Sequence, residues 1–434
     1  MLNHDEAMRL LEMALRHSTA EQTEVTLSAH DAGLTRLANG GIHQNVAVVD
    51  CSARVRAVLG QRSGVAAAND LSEDGLRALV ARAIDIARVS EPNPEFDSLP
   101  APQPNVPLPE AEIAADAFTP EQRADAAAII VDAGRKDGLT AAGHVSTARV
   151  AFAVGNSLGV RAFYRHTSGS ALAIMTDGDA SGYACWDGVS LDDAPVAEVA
   201  ARAARVCASA RDPQPLDAGS YTVILEPAAV AEMLVLLAIM GLGATAFQEE
   251  RSFMSSKLGQ QLVGENITLR DDAFAPGMIP MPFDFEGVPK QAVVFFERGV
   301  AKGVVYDSLT ARKGNTANTG HALPAPNTYG PLPLHLTLDP GGQTRAEMIR
   351  GVARGVLVTR FHYVNIVHPL ETIITGMTRD GTFLIENGAI ARPVKNLRFT
   401  QSVLEALRNV SAIEREQQLV ATDGLYCLVP ALRR

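Results

Sequence analysis

Two hydrophobic rhythms alternate along this chain. Residues from about 5 to 17 set Met8, Leu11, Met13 and Leu15 among charges, a short amphipathic helix. EVTLSAH, LTRLAN and IHQNVAVVDCSARVRAVLG then alternate apolar and polar residues, the period of strands with one buried face. Asn39-Gly40-Gly41 marks a turn between two of them, and Gly60 to Gly64 marks another. The helical rhythm returns from Ser72 to Arg88. Ser72 is placed to cap that helix, and Glu73 and Asp74 lie at the positive end of its dipole.

A second unit repeats the order. Thr119-Pro120-Glu121 opens a helix to about Lys136, and LTAAGHVSTARVAFAVGN, VRAFYRHTSGSALAIMTD and GYACWDG follow as strands. Asn156 to Gly159 is a turn, and Ala194 to Ala210 is a helix ended by Asp212-Pro213-Gln214-Pro215. Helix, strands, helix echoes the first segment without any repeated sequence. Glu91 to Pro109, with seven prolines, reads as an extended connector between the two.

Beyond Gly219 the pattern changes. Tyr221 to Leu225 is a short strand that feeds Ala228 to Phe247, twenty residues with one charge, Glu232. That length can span a bilayer. Yet it has no Lys/Arg cluster or aromatic belt at its ends, starts after Glu226-Pro227 and stops in Gln248-Glu249-Glu250-Arg251. A single helix buried in a core is expected, with no membrane partner. ITLRDD reads as a strand, and QAVVFFERGVAKGVVYDSLTARK as a strand, a turn at Arg298-Gly299 and a second strand ending near Asp307. A helix from Thr344 to about Arg354, the strand and helix of NLRFTQSVLEALRNVSAI, and a final apolar LYCLVPAL complete the region. The class is α+β: helices packed on antiparallel sheets in the N-terminal half, then a β-rich C-terminal domain with one buried apolar helix. Residues 1–100, 101–216 and 217–434 are the expected domains.

Arg360 to Gly388 concentrates polar, aromatic and turn residues between short β-type runs. It reads as a strand-turn-strand pair, with its tight turn at Asp380-Gly381, beside a peptide-binding groove. The groove candidates are Arg360, His362, Tyr363, Asn365, Thr378, Arg379, Asp380 and, from a separate loop, His321. Arg379 offers a planar donor fork for a peptide carbonyl or carboxylate, or else a pair with Asp380 or Glu386 that stiffens the hairpin.

Charge and composition narrow the classes. A net charge of −11 with no Lys/Arg cluster excludes the electrostatic footprint of a nucleic-acid binder. Cys51, Cys185, Cys207 and Cys427 form no C-x-x-C pair and read as reduced thiols. The N-terminus has no apolar signal core, so the cytoplasm is the expected compartment. None of the ten histidines falls in His-Glu-x-x-His, and His362 and His368 are six apart, roughly 20 Å along an extended strand. G-x-S-x-G and the P-loop are absent. Asp271-Asp272 and Asp192-Asp193 are expected in turns or on the surface. No catalytic residue and no metal ligand is assigned.

TRLANGGIHQN, RSGVAAANDLS, FDFEGVP, GVAKGVVYDSLTARK, NTGHA and TRDGTFLIENG, in this order and spacing, resemble the TldD/PmbA (TldE) family. Its members were once called modulators of DNA gyrase and are regarded as metalloprotease subunits. The resemblance covers nearly the whole chain. It implies a catalytic subunit with His-Glu-x-x-x-His on the helix after the first C-terminal strand and a third ligand near the C-terminus. Here that helix is Ala228 to Phe247, without histidine, and Cys427 lacks partners. The chain therefore looks like the PmbA/TldE type, binding no cofactor itself, with zinc expected in a TldD-like partner. The resemblance further implies a heterodimer around a narrow chamber that holds unfolded peptide in extended form. A homodimer, a self-sufficient peptidase built on His321, His362 and His368, and a non-proteolytic peptide-binding or assembly protein are the alternatives.

Overall fold

A computed structural model describes residues 2–104 and 119–434. The N-terminal half opens with α1 (His4–Arg16), β1 (Gln22–Ala38), β2 (Gly41–Leu59), β3 (Arg62–Ala68) and α2 (Glu73–Val89). It continues with α3 (Pro120–Lys136), β4 (Thr140–Asn156), β5 (Arg161–Asp177), β6 (Ala180–Gly188) and α4 (Val196–Ser209). The capping chemistry sits where the helices begin. The Ser72 hydroxyl accepts from Gly75 N–H at 3.1 Å, and Thr119 and Gln122 form a reciprocal box at the start of α3. EVTLSAH and LTRLAN are one strand rather than two. Residues between them hydrogen-bond on both edges, Asp31 opposite Val49 and Arg149, so the ladder runs through.

These strands form one antiparallel sheet in the order β3-β2-β1-β4-β5-β6. The order is mirrored about the β1–β4 pair, the tertiary form of the helix–strands–helix echo. Helices cover one face only. Leu76, Leu79 and Val80 of α2 pack with Leu10 and Leu11 of α1 on one half, and Ile130 of α3 packs with Ala200 and Ala203 of α4 on the other. Among the described residues these four helices leave the opposite face to the C-terminal half, whose helix Ser308–Lys313 brings Leu309 beside Val58.

The C-terminal half begins with β7 (Thr222–Leu225), α5 (Pro227–Gly241), α6 (Ala244–Gln248), β8 (Leu269–Asp271), β9 (Val293–Glu297), β10 (Val300–Ala301) and α7 (Ser308–Lys313). Then follow β11 (His335–Leu338), α8 (Arg345–Arg350), β12 (Arg354–His368), β13 (Ile373–Glu386), β14 (Ala389–Pro393), β15 (Arg398–Ser402), α9 (Val403–Arg408), β16 (Ala412–Thr422) and β17 (Leu425–Arg433). The sheet order is β10-β9-β8-β11-β17-β7-β12-β13-β14, with β15 beside β13 and β16 beside β17. Pairs β11–β17 and β7–β12 are parallel, which makes this sheet mixed. α5 lies buried on one face against Val356, Val358 and Val429. Leu357, Phe383 and Ile385 on the other face share a core with Ala203 and Cys207 of α4. The α4 helix thus glues the two sheets together.

Two local readings change. The apolar run 228–247 is two helices, because Leu242 to Ala244 is drawn out to pair with Val305. A Cβ on Gly243 would stand 2.2 Å from the Pro331 carbonyl oxygen, so a side chain there cannot fit. The strand expected up to Asp307 stops at Ala301, and Asp307 instead caps α7, its carboxylate accepting from Thr310 N–H at 2.8 Å. The proline-rich connector runs as irregular chain over 91–104, where Asp97 and Glu95 meet Arg312 and Lys313 of α7 at 2.9 and 2.6 Å. Its residues 105–109 lie outside the described residues. No described helix is long and apolar enough to cross a membrane.

Candidate functional site

The Arg360–Gly388 stretch is a long hairpin of β12 and β13, but its turn is at Pro369–Thr372, not at Asp380-Gly381. Asp380 and Gly381 sit inside β13 as a bulge opposite Thr359, with φ of 53° and 120°. A Cβ on Gly381 would lie 2.6 Å from both Thr359 Oγ1 and Val206 Cγ1, which explains the glycine. The bulge turns the buried Asp380 carboxylate toward β12, where Arg360 Nε donates to Oδ2 at 2.7 Å. Arg360, not Arg379, is therefore the principal partner of Asp380. The Arg379 guanidinium is half-exposed, contacts His362 Nε2, and stands 3.8 Å from Asp380 Oδ1.

The other candidates separate. Tyr363 is exposed at a second bulge with φ 53°, and Asn365 Nδ2 donates to its carbonyl at 3.1 Å. Thr378 is buried, its hydroxyl accepting from Leu397 N–H and from Thr382 Oγ1 at 2.9 Å each, so it fastens the hairpin. His321 does not join the hairpin residues. It belongs to a buried cluster in which Asp271 Oδ1 accepts from Lys290 Nζ at 3.3 Å and meets His321 Nε2 at 3.0 Å, while Oδ2 accepts from His335 N–H at 2.8 Å. Burial would raise the Asp271 carboxyl, but Lys290 and His321 outweigh it and hold it well below the usual carboxylate range. Asp271 is thus a core residue, not a surface one, because three donors replace the water it gives up. His335 is pushed down to about 3 by burial, with Lys290 adding to the shift.

The Arg360 guanidinium carbon stands 4.8 Å over the Tyr183 ring, linking the hairpin to β6. Ala180 and Ala184 of β6 face α4, which leaves Tyr183, Cys185 and Asp187 on the face turned away from α4. A cleft of about 540 Å³ opens there, with Ser168 and Ser170 of β5, His144 of β4 and Tyr426 of β17 in its wall. Its far side is stitched to β6: Gln418 Nε2 donates to the Cys185 carbonyl at 2.8 Å, and Ala421 N–H to Asp187 Oδ2 at 3.0 Å. Burial, then Asp187, pushes the Cys185 thiol up to about 11, so it stays protonated and is no ready nucleophile. On α5, Glu232, Leu236 and Ile239 form the less buried stripe of a helix otherwise sunk in the core. Burial raises the Glu232 carboxyl to about 7, Arg360 opposes the shift and Asp423 adds to it.

Sequence reading passed over Tyr183, Cys185 and Asp187. Their signal was present: GYACWDG places small residues on one face and Tyr, Cys and Asp on the other. Among the described residues, the zinc implied by the family finds no fitting ligand set. With the His-Glu-x-x-x-His pattern laid on Glu232, Ala231 and Leu236 occupy its two histidine positions, and neither can ligate a metal. Among the described residues, no group of three His, Cys, Asp or Glu side chains is arranged to hold a metal ion. Cys427 is fully buried in β17, and burial pushes its thiol far up.

A helix-backed sheet joined to a mixed sheet, with a cleft between them, is the architecture of a group of metallopeptidase-related chains. TldE from Thermococcus kodakarensis superposes with a TM-score of 0.90 over 98% of both chains, at 20% identity. A Thermotoga maritima chain named for modulation of DNA gyrase gives 0.86 over 99% of this chain and 98% of that one, at 19% identity. Residues 218–433 match the PmbA/TldA metallopeptidase C-terminal domain, and residues 24–87 match domain 1 of the same metallopeptidases. Metalloprotease PmbA of Escherichia coli O157:H7 is 26% identical over 368 residues, 81% of this chain and 78% of that protein. The chain belongs to the PmbA/TldD family.

Proposed function

We propose that this chain is the PmbA/TldE-type subunit of a two-subunit metallopeptidase, which holds unfolded peptide while a TldD-like partner supplies zinc and cleavage. The observation that carries this reading is α5. Its position after β7 matches the family's metal helix, yet it offers Ala231, Glu232 and Leu236 where two histidines and a glutamate would stand.

Two features support the peptide role. The sheet face turned away from α1 to α4 forms the cleft, and the hairpin beside it has an open edge. Of β12, β7 covers only Gly355–Val358, so among the described residues 360–368 have no strand on that side. An extended peptide can add to such an edge through its main chain. A peptidase complete in this one chain, built on His321, His362 and His368, has no comparable support, since His321 is locked in the core.

The test is co-expression with a TldD-like protein that carries His-Glu-x-x-x-His. The pair is expected to co-purify and to degrade an unfolded substrate faster than the partner alone, with zinc stoichiometric to the partner. Stoichiometric zinc retained by this chain alone, or cleavage unchanged in its absence, overturns the reading.

A further inference from the structure

We infer that the cleft contains a subsite for a cationic side chain of the bound peptide, a lysine ammonium or an arginine guanidinium, with Asp187 as its counter-charge. This rests on the reading that the cleft takes peptide, and it names which residues of a peptide would dwell there.

The charge balance of the cleft wall carries the argument. Among the described residues, Asp187 is the one carboxylate that lines it, and no lysine or arginine does. Asp187 has no ion-pair partner among the described residues. The groups that act on it are neutral donors, Ala421 N–H at 3.0 Å and the Ser170 side chain. The cations nearest Asp187 are committed elsewhere, and Arg36, which acts on His144 farther along the wall, is not among the groups that act on Asp187. Arg360, over Tyr183, is held by Asp380, and Arg202, which acts on Cys185, donates to Glu226 Oε2 at 2.9 Å. A half-buried carboxylate with only neutral hydrogen bonds is under-compensated, and a ligand cation is the group that completes it.

The surroundings suit the rest of such a side chain. Tyr183 and Tyr426 line the same cleft as Asp187; burial raises both phenols, and the Asp187 charge adds to the shift. An aromatic face attracts ammonium and guanidinium groups. Leu34, Leu172 and Ile279 add apolar wall for the methylene stem. At about 540 Å³ the cleft has room for peptide beyond the one side chain.

The experiment uses the whole chain and two probe sets. One is a pair of short unstructured peptides identical except for lysine against norleucine. The other is phenethylamine against 2-phenylethanol, observed by ligand NMR. The lysine peptide is expected to bind about tenfold or more tighter, the increment of one desolvated charge-assisted hydrogen bond. Asp187→Asn, which keeps an acceptor for Ala421 N–H, should collapse that preference to a ratio of about one, while Asp187→Glu should retain part of it. A melting curve for each variant separates loss of preference from loss of fold. Equal binding of lysine and norleucine peptides, equal binding of amine and alcohol, or a preference that survives in folded Asp187→Asn overturns the subsite. Amine selectivity with no peptide bound upholds the subsite and removes the peptide reading. Peptides bound without preference, with amine and alcohol equal, do the reverse.

Discussion

Arg360→Met isolates the contact on which the hairpin, β6 and α5 converge. Asp380 is only 3% exposed, and Arg360 satisfies it while stacking on Tyr183. Methionine keeps much of the side-chain volume and removes the charge. Breaking a buried pair from one side costs roughly 3–5 kcal/mol because the other charge stays buried, and loss of the ring contact adds about 1 kcal/mol. Two features reduce the first figure. The Arg360 side chain is 22% exposed, and Arg379 remains 3.8 Å from Asp380. A net loss of about 2–4 kcal/mol is therefore expected in guanidinium unfolding. The decisive measurement is the double-mutant cycle with Asp380→Asn. If Arg360 and Asp380 act as one unit, the double variant recovers part of the loss, with a coupling of about 1–3 kcal/mol. Additivity within about 0.5 kcal/mol, or a single-variant loss below about 1 kcal/mol, would refute the reasoning.

Lys290→Met strands Asp271 in the core with His321 and a backbone N–H as its remaining contacts, and should cost about 3–5 kcal/mol of unfolding free energy; a loss within about 1 kcal/mol would contradict the cluster's role. Arg379→Ala, in contrast, removes a half-exposed side chain. It should change stability by less than about 1 kcal/mol while weakening peptide capture or partner assembly, with metal content unchanged; assembly, capture and supported cleavage equal to the parent would make the hairpin scaffold only. His335 is held neutral, its pKa pushed down to about 3 from 6.5, so between those values the unfolded chain binds the extra proton. Its contribution is present above pH 6.5 and declines as pH falls. The stability difference between the parent and His335→Phe should thus move in favour of the variant between pH 6.5 and 4, by up to about 1.4 kcal/mol per pH unit. The difference is the quantity to measure, since Glu24 and Glu232, both raised to about 7, act with opposite sign in the same window. A difference flat with pH would count against a neutral buried imidazole.

Much of the fold was legible because its signals are local. Ser72 and Thr119 announce their helices by satisfying N–H groups three residues away, and alternation in β4 and β5 reports a sheet with one covered face. The site was less legible. Arg360, His362, Arg379 and Asp380 were singled out and lie together, but Asp380-Gly381 imitates a turn. The sequence of a hairpin turn and that of a bulge are alike, since both need a residue with positive φ. Only the cross-strand ladder, which resumes beyond Asp380 and runs on to His368, tells them apart.

The chain by itself determined the rhythm of its elements, the absence of histidine from the helix after β7, and the family to which its motifs point. These are properties of neighbouring residues and need no partner from afar. Tertiary structure decided which charges are buried, and with whom. Asp271 and Asp272 are adjacent, yet one is a core hub because Lys290 and His321 arrive from distant loops. Tyr183, Cys185 and Asp187 form a cleft wall only because α3 and α4 take the opposite face and β16 and β17 close over the side left open. Burial and the donors that compensate it come from residues far apart in sequence, and no local pattern encodes them.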